Sequence, residues 1–395
     1  MIFYGIFLLI ASQLAGADEN RLTCSAPIRL DINGSFRGIP VIDQGNLPIC
    51  YAVSGSELFE SYLKRNSASS IKEVPLSTFH VSSLDTAVIS ASSEAAKIGM
   101  FDQPLLGGFT CDAFNALSKI GACSRERVEY RLYSKIHGTS YSPISSKDLE
   151  QEENTLNVFY RDFVCANQGE LHARIGTYTD GGCVGKIKGT DQNKSEDVST
   201  RGFSHRLENE ISCDLSSASG VKLPIDLLLL ESALNSDSPF LALQNFISRD
   251  CENHRIRLKN QPTCVSDPFP ISLHVSPDPE AVSKVNHKIE KQIESYLASP
   301  HPQPVGVEFC SQILKENRES SYFFGEGCQK HAAVVIGRRD CTEKTTVKPV
   351  KQFLLRNSWG RDCSPYDKIW DCDSGSIWID EDALANNITA IVHLK

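Results

Sequence analysis

Three features are missing from this chain, and each absence excludes a class of function. The 395 residues contain no C-x-x-C pair, no basic patch with interleaved aromatic residues, and no long apolar run after the first residues. The first absence argues against a zinc site, and we expect neither a metal nor a cofactor. The second, together with a formal net charge of −9, argues against nucleic acid as a partner. The third predicts no membrane span in the mature chain.

The one apolar stretch of note opens the chain. Residues 1–17 read MIFYGIFLLIASQLAGA, and the apolar part is too short to span a bilayer. It has no preceding Lys or Arg, but it ends in a small-residue site before Asp18. We therefore predict a cleaved signal peptide rather than a retained anchor. The protein is expected to be secreted, periplasmic or otherwise exported, with a lysosome-like compartment as an alternative.

Fourteen cysteines after a signal peptide predict disulfides in an oxidising compartment. If Cys50 is a free thiol, the other thirteen are odd in number, so at least one more would stay reduced or pair between chains. Spacing suggests three local bridges, of which the first is the strongest: Cys363 with Cys372, Cys111 with Cys123, and Cys251 with Cys264.

Helix patterns dominate before residue 123, and strand patterns dominate the carboxyl-terminal third. An amphipathic helix is predicted from Cys50 to Lys64, with Glu57, Glu60 and Lys64 on its solvent side. A second helix is predicted within Leu105–Cys123, capped by Thr110 and ended by Gly121. Further helices are expected at 225–246 and 278–297, and a loop at 66–86. Strands are predicted at 304–309, 332–337, 352–356, 375–379 and 390–394.

Cys50 lies in the first turn of its predicted helix, after Pro48, which a helix start tolerates. The positive end of the helix dipole and the amide donors there favour a thiolate. A buried or disulfide-bonded cysteine is the plainer interpretation of a single Cys at a helix start.

Histidine is the natural base for a thiol near neutral pH, and His331 stands out among ten histidines. It opens the apolar strand HAAVVIG, and the next strand leads into FLLRNSWG. Asn357 could then accept the imidazole N–H without adding a charge, and Trp359 could cover the pair. Taken singly, each of these residues would more often be a capping or core residue.

The motifs QGNLPICYA, Gly107-Gly108, KHAAVVIG and LLRNSWG, in this order, resemble the papain-like cysteine proteases. The resemblance covers roughly residues 38–125 and 280–395. It implies an α+β, two-lobe fold in which a helical lobe faces an antiparallel barrel or sheet lobe. It also implies a cysteine peptidase that hydrolyses peptide or protein substrates through a thioacyl intermediate.

The resemblance also implies roles for individual residues. Catalytic roles fall to Cys50 as nucleophile, His331 as general base and acid, Asn357 as the residue that orients the ring, and Gln44 as oxyanion donor with the Cys50 backbone N–H. Substrate-binding roles fall to Gly107, Gly108 and Trp359.

Several positions depart from the family pattern. Leu47 stands where a disulfide-forming Cys is usual, and Lys330 next to His331 is expected to lower the imidazole pKa. Cys50 and His331 are 331 − 50 = 281 positions apart, against roughly 130–150 in the family. These departures leave two alternatives open: a catalytically weak papain-like binding protein, and a transpeptidase.

The spacing also implies an insertion. We predict a signal peptide at 1–17, a helical lobe with the nucleophile at 18–125, an insertion of unknown role at 126–277, and a β-rich lobe with His331 and Asn357 at 278–395.

Overall fold

The computed structural model describes residues 22–44, 49–70, 79–91, 107–130, 247, 251–269, 279–315, 329–344 and 346–395. The predicted signal peptide, the predicted helices at 225–246 and most of the predicted insertion lie outside these residues. The division into domains therefore stays a prediction. Within the described ranges, every helix is too short or too polar to cross a lipid bilayer.

Helices form the amino-terminal part. A short α1 (Leu30–Asn33) precedes α2 (Cys50–Ser70), α3 (Ser83–Ala91) and α4 (Thr110–Ile120), and a π-helical turn follows at Glu126–Tyr130. The last three α-helices pack on one another. Gly55 of α2 lets α4 approach, because a Cβ there would lie 2.8 Å from the Cβ of Ala113. The predicted loop at 66–86 is wrong at both ends, since helix covers residues 66–70 and 83–86.

Helix α4 begins one residue earlier than a Thr110 cap requires. Phe109 occupies the N-cap position without a side-chain hydrogen bond, and Thr110 is the first helical residue. The Thr110 amide instead donates to the carboxylate of Glu308, 3.0 Å away on a sheet strand. The helix start is thus satisfied by a distant residue rather than by its own cap. Gly121 ends the helix at φ = 100°, as predicted.

Antiparallel strands form the second part as one nine-stranded sheet in the order β3-β9-β4-β5-β6-β8-β7, with β1 and β2 also paired to β5. The strands are β1 (Leu22–Cys24), β2 (Ile28–Arg29), β3 (Cys264–Pro268), β4 (Val305–Cys310), β5 (Lys330–Glu343), β6 (Pro349–Arg356), β7 (Asp371–Asp373), β8 (Ser376–Asp380) and β9 (Ile388–Leu394). All five predicted strands are confirmed. The expected α+β class, with a helical part and an antiparallel sheet, is confirmed as well.

Two further helices and one short turn accompany the sheet. The predicted helix at 278–297 is α5 (Pro279–Leu297), which packs on α6 (Glu381–Ala385), and a 3-10 turn covers Ser311–Leu314. Helix α2 packs against β4 and β5. A Cβ on Gly306 of β4 would lie 3.1 Å from Leu58 of α2, so the glycine lets helix and sheet meet closely. One hydrophobic core runs through both parts.

Of the four disulfides whose two cysteines both lie in the described residues, three join segments that are far apart in the chain and one is local. Cys363 and Cys372 form a bridge, as predicted. The other two local pairings are wrong: Cys111 bonds Cys264, and Cys123 bonds Cys251. A fourth bridge joins Cys24 and Cys341.

These bridges position part of the predicted insertion. Strand β3 pairs with β9, and the side chain of Arg255 makes two hydrogen bonds to Asp85, of 2.6 and 2.7 Å. Residues 251–269 therefore pack into the body of the protein, and β3 forms one edge of the sheet.

The solvent side predicted for helix α2 is buried. Glu57 and Glu60 are only 3% and 4% exposed, because α3, α4 and the sheet surround the helix. Glu60 is compensated by Lys64 at 3.0 Å, in the predicted i,i+4 pairing, and by His80 at 2.9 Å. Glu57 has one carboxylate oxygen without a hydrogen bond. Burial raises the pKa of Glu57 to about 8, although the charge of Arg356 opposes the rise.

This buried carboxyl predicts how stability depends on pH. Between the ordinary pKa of 4.5 and about 8, the folded state holds a proton that the unfolded state has lost. The free energy of unfolding should fall as pH rises through this range. Replacing Glu57 by Gln should flatten the curve and raise stability at pH 9 by on the order of 2 kcal/mol.

Chemical denaturation at pH 5, 7 and 9 measures this effect. Glu280→Gln, on a side chain that is 76% exposed, is the matched control and should change stability by less than about 0.5 kcal/mol. A loss of stability at pH 9 in Glu57→Gln would show instead that ionised Glu57 stabilises the fold through Arg356.

Candidate active site

The imidazole of His331 lies in an aromatic enclosure at the start of β5. The residue is 2% exposed and pairs in register with Phe309 of β4. The Phe309 ring meets the imidazole edge-on, with centroids 5.6 Å apart, and the Trp359 ring lies 5.2 Å away. Trp359 in turn stacks on Tyr366 at 5.5 Å. The enclosure keeps water away from the ring and restricts its rotation.

Asn357 fixes the orientation of this ring. It follows the last residue of β6, and its Oδ1 lies 2.6 Å from His331 Nε2. Its Nδ2 donates to the Tyr366 hydroxyl at 3.1 Å, and its Oδ1 also accepts the Ser358 N–H at 2.9 Å. Since the amide oxygen can only accept, His331 carries its proton on Nε2.

The other ring nitrogen is then a lone-pair acceptor. His331 Nδ1 is buried, and no hydrogen bond to it is present among the described residues. A buried nitrogen without a partner is unusual, because most such groups are satisfied. This nitrogen is the one site on the ring that can accept a proton from a nucleophile.

Burial lowers the pKa of His331 from 6.5 to about 4. The hydrogen bond to Asn357 opposes this shift, while the positive charge of Lys315 adds to it. Lys315 Nζ sits over the Trp359 ring, 5.1 Å from its centroid. The cation that depresses the imidazole pKa is therefore Lys315, not Lys330 as expected from the sequence.

Gln44 is buried and is hydrogen-bonded to Ser358, the residue that follows Asn357. Its backbone N–H donates to the Ser358 carbonyl at 2.9 Å, and its Oε1 accepts a hydrogen bond from the Ser358 hydroxyl. Asp43 forms an antiparallel bridge with Trp359. Because Oε1 accepts the hydrogen bond from the Ser358 hydroxyl, the amide nitrogen of Gln44 is not the atom that bonds Ser358. Its role as an oxyanion donor stays a prediction.

Cys50 is the first residue of α2, as the sequence predicted, and it is fully buried. However, its sulfur is in a disulfide bond, as is that of Cys310. All ten cysteines in the described residues are disulfide-bonded. The expectation of a free thiolate at Cys50 is therefore wrong for this state, since a sulfur bonded to sulfur cannot ionise. The argument for a second unpaired cysteine assumed a free Cys50, so it no longer applies.

The predicted substrate-binding glycines lie beside the start of α2. Gly107 has φ = 138°, which strongly favours glycine. A Cβ on Gly108 would lie 2.5 Å from the ring of Tyr51, the residue after Cys50. The glycine pair is thus explained by close packing, and its contact with substrate stays a prediction.

The structure brings His331 into contact with Asn357 and Trp359, and it joins Gln44 to Ser358, the residue between them. Cys50 lies at the start of the helix that packs on the His331 strand. Three contributors were not singled out from the sequence. Ser358 lay inside the recognised motif and could have been found there. Tyr366 and Lys315 carry no local signal, because only the fold brings them to the imidazole.

Two solved structures are similar to this chain. A cysteine protease from Carica candamarcensis, in complex with E-64, is 13% identical, with 94% of this chain and 98% of that chain covered and a TM-score of 0.32. PepW from Lactobacillus rhamnosis is 10% identical, with 94% and 81% covered and a TM-score of 0.35. No protein-family model and no curated protein matches the chain.

The depressed pKa of His331 predicts a loss of stability in acid. Between pH 6.5 and about 4, His331 is protonated in the unfolded state but stays neutral in the folded state. The free energy of unfolding therefore falls as the pH falls through this range. Removing the charge in Lys315→Met should raise the pKa of His331 and reduce this loss. The ¹⁵N chemical shifts of the imidazole, followed against pH, measure the change.

The matched control is Lys330→Met, which removes a cation next to His331 in sequence. This control should leave the pKa of His331 where it is in the parent protein. An equal rise in both variants would contradict the assignment to Lys315.

Proposed function

We propose that this protein is a cysteine peptidase in which Cys50, once reduced, attacks peptide bonds with His331 as its base. One observation carries the proposal. The imidazole is held by Asn357 through Nε2, while Nδ1 is buried without a hydrogen-bond partner among the described residues. Most buried polar atoms have a hydrogen-bond partner, so a buried ring nitrogen without one calls for an explanation. A base held in one tautomer with its acceptor nitrogen available is what nucleophilic catalysis requires.

The reaction follows from these groups. Nδ1 of His331 takes the thiol proton, and the Cys50 sulfur attacks the carbonyl carbon of the substrate. The resulting oxyanion is stabilised by the Gln44 amide and the Cys50 backbone N–H. The C–N bond then breaks, and the imidazolium returns the proton to the leaving amine. Water, deprotonated by the same nitrogen, hydrolyses the thioester and restores the thiol.

The surroundings of the imidazole suit this cycle. Burial lowers the pKa of His331, which leaves the ring neutral and ready to accept a proton. A thiolate beside it would supply the missing counter-charge, so the ion pair is stable only when both partners form together. The Trp359 and Phe309 rings exclude water from the pair and strengthen its electrostatic attraction.

The disulfide at Cys50 means that this state is inactive. A thiol reductant must first cleave the bond and supply two electrons, which leaves Cys50 as a thiol. The several disulfides fit an oxidising, exported environment. Activity is then expected where an exported protein meets a thiol reductant, as in a lysosome-like compartment.

A second candidate function is a papain-like protein that binds peptides without cleaving them. The observation that favours it is the same disulfide, because a permanent bridge at Cys50 would remove the nucleophile. The orphan Nδ1 of His331 argues against it, since a binding protein gains nothing from that unsatisfied group. No observation favours the transpeptidase alternative.

Labelling with a cysteine-directed epoxide separates the two candidates. We expect no label on Cys50 in the oxidised protein, and selective labelling of Cys50 after mild reduction. His331→Ala should slow labelling by ~100-fold or more, because the base is lost. Mass spectrometry locates the label, and non-reducing peptide mapping identifies the partner of Cys50.

A matched control is Asn386→Ala, which changes an asparagine outside the candidate site and should leave the labelling rate unchanged. Peptide hydrolysis that survives Cys50→Ala, or labelling of other cysteines before Cys50, would remove Cys50 as the nucleophile. Peptide binding without turnover after confirmed reduction of Cys50 would establish the second candidate.

Reduction should also change the titration of His331. A thiolate near Nδ1 stabilises the imidazolium, so the pKa of His331 should rise on reduction of Cys50. Imidazole ¹⁵N spectra recorded against pH before and after reduction measure this shift. The control is Cys50→Ser, whose hydroxyl stays neutral and should give no rise. An unchanged pKa in the reduced parent protein would mean that no ion pair forms.

A further inference from the structure

The motif Asn-x-Ser/Thr, in which x is not proline, occurs three times in this chain, at Asn33, Asn193 and Asn387. In exported proteins this motif is the acceptor for N-linked oligosaccharides. An oligosaccharide is bulky and hydrated, so the folded protein can carry it only on a surface asparagine. Asn193 lies outside the described residues, and the structure describes the surroundings of the other two.

Asn387 is unsuited to carry a sugar in the folded protein. It lies between α6 and β9, is 3% exposed, and its Nδ2 donates to the carbonyl of Ala383 at 2.9 Å. Its backbone carbonyl accepts the N–H of Cys310 at 3.2 Å. The residues packed around Nδ2 leave no room for a sugar, and a buried sugar would have hydroxyl groups without hydrogen bonds.

Asn33 has the opposite surroundings. It is the last residue of α1, and it is exposed. Its side-chain amide makes no hydrogen bond to another described residue. A sugar on its Nδ2 would therefore break no contact in the described part of the chain.

The residues around Asn33 fix the turn on the body of the protein. Phe36 is fully buried, and its N–H donates to the carbonyl of Leu30 at 3.0 Å. The N–H of Gly34 donates to the same carbonyl, also at 3.0 Å. A Cβ on Gly34 would lie 2.8 Å from Leu30 Cα, so the glycine allows this close approach. The turn is thus held by its neighbours, and Asn33 remains on the surface.

An apolar side chain is exposed directly beside this asparagine. Ile32 precedes Asn33 and exposes 50% of its surface, and Ile28 on β2 exposes 37%. These two isoleucines are half of the four large apolar residues exposed in the described ranges. The first sugar of an N-linked oligosaccharide has C–H faces that can lie on Ile32 and reduce its contact with water.

We propose that Asn33 carries an N-linked oligosaccharide when the protein is exported through a compartment that holds the transferase, and that the first sugar covers Ile32. The inference goes beyond the proposed peptidase function and does not depend on it. It rests on the predicted export and on the exposure of Asn33.

The donor in this reaction is an oligosaccharide linked through a diphosphate to a polyprenyl lipid. A bond forms between Asn33 Nδ2 and C1 of the first N-acetylglucosamine. The bond between C1 and the diphosphate oxygen breaks, and the lipid diphosphate leaves with the electron pair. The amide gives up one proton to a base of the transferase, so no oxidant or reductant is needed.

Mass spectrometry of the exported protein tests the site. The chain would be produced in a eukaryotic secretory host, with the host's secretion signal placed before residue 18, and with Asn193→Gln present throughout. Peptide-N-glycosidase F in H₂¹⁸O converts each glycosylated asparagine to ¹⁸O-labelled aspartate. We expect the label on Asn33 and none on Asn387. An untreated sample corrects for spontaneous deamidation, to which an Asn-Gly pair is prone.

Two variants of Ser35 give a matched comparison. Ser35→Ala destroys the motif but leaves Asn33 in place, and it should abolish the label. Ser35→Thr keeps the motif and the hydroxyl that accepts the hydrogen bond from Ser61 at 2.6 Å, and it should keep the label. Circular dichroism establishes that both variants are folded.

Unlabelled Asn33 in both the secreted and the cell-associated protein overturns the proposal. A label on Asn387 in folded, secreted protein also overturns it, because burial would then not decide between the motifs. A label on Asn33 that survives Ser35→Ala would show that the motif is not what the transferase reads.

Sedimentation velocity tests whether the sugar covers Ile32. The Ser35→Ala protein should self-associate at a lower concentration than the glycosylated Ser35→Thr protein. Adding Ile32→Ser to both should remove the difference. Equal association of the first pair, or a difference that persists with Ile32→Ser, overturns the covering of Ile32, and the label decides the site independently.

Discussion

The hydrogen bond between His331 Nε2 and Asn357 Oδ1 is the contact on which the candidate site depends. It spans two neighbouring strands, since His331 is the second residue of β5 and Asn357 follows β6, and it measures 2.6 Å. It decides which nitrogen carries the proton and therefore which nitrogen can act as a base. The Tyr366 hydroxyl and the Ser358 N–H hold the amide in place. A rotated amide would present a donor to the ring and remove the acceptor nitrogen.

The segment from Arg356 to Gly360 also joins the two parts of the protein. Arg356 donates to the carbonyl of Ile39 at 3.3 Å, Ser358 holds Gln44, and Trp359 bridges to Asp43. These contacts tie the strand that carries Asn357 to the chain that leads into α2. The geometry of the site is thus set by the same residues that connect helix and sheet. A change in this segment would alter stability and site together.

The sequence revealed the parts of the site that are local and missed those that are not. His331, Asn357 and the start of α2 were found because strand and helix patterns are read from neighbouring residues. Lys315, Tyr366 and the Cys111–Cys264 bridge were missed because only the folded sheet brings them together. The burial of Glu57 was missed for a related reason. A charge pattern on one helix does not show that other elements surround it on every side.

The disulfide at Cys50 and the proposed nucleophile are compatible for a physical reason. A cysteine at a helix start is stabilised as a thiolate by the helix dipole, and in the proposed reaction His331 would add to this by taking its proton. Stabilising the reduced form raises the reduction potential of a disulfide, and a low-pKa thiol also leaves faster during exchange. The features that would make Cys50 a good nucleophile therefore make its bridge easier to open. The Cys363–Cys372 bridge spans a sequence separation of 9, and neither of its cysteines lies at the start of a described helix, so it should resist reduction longer.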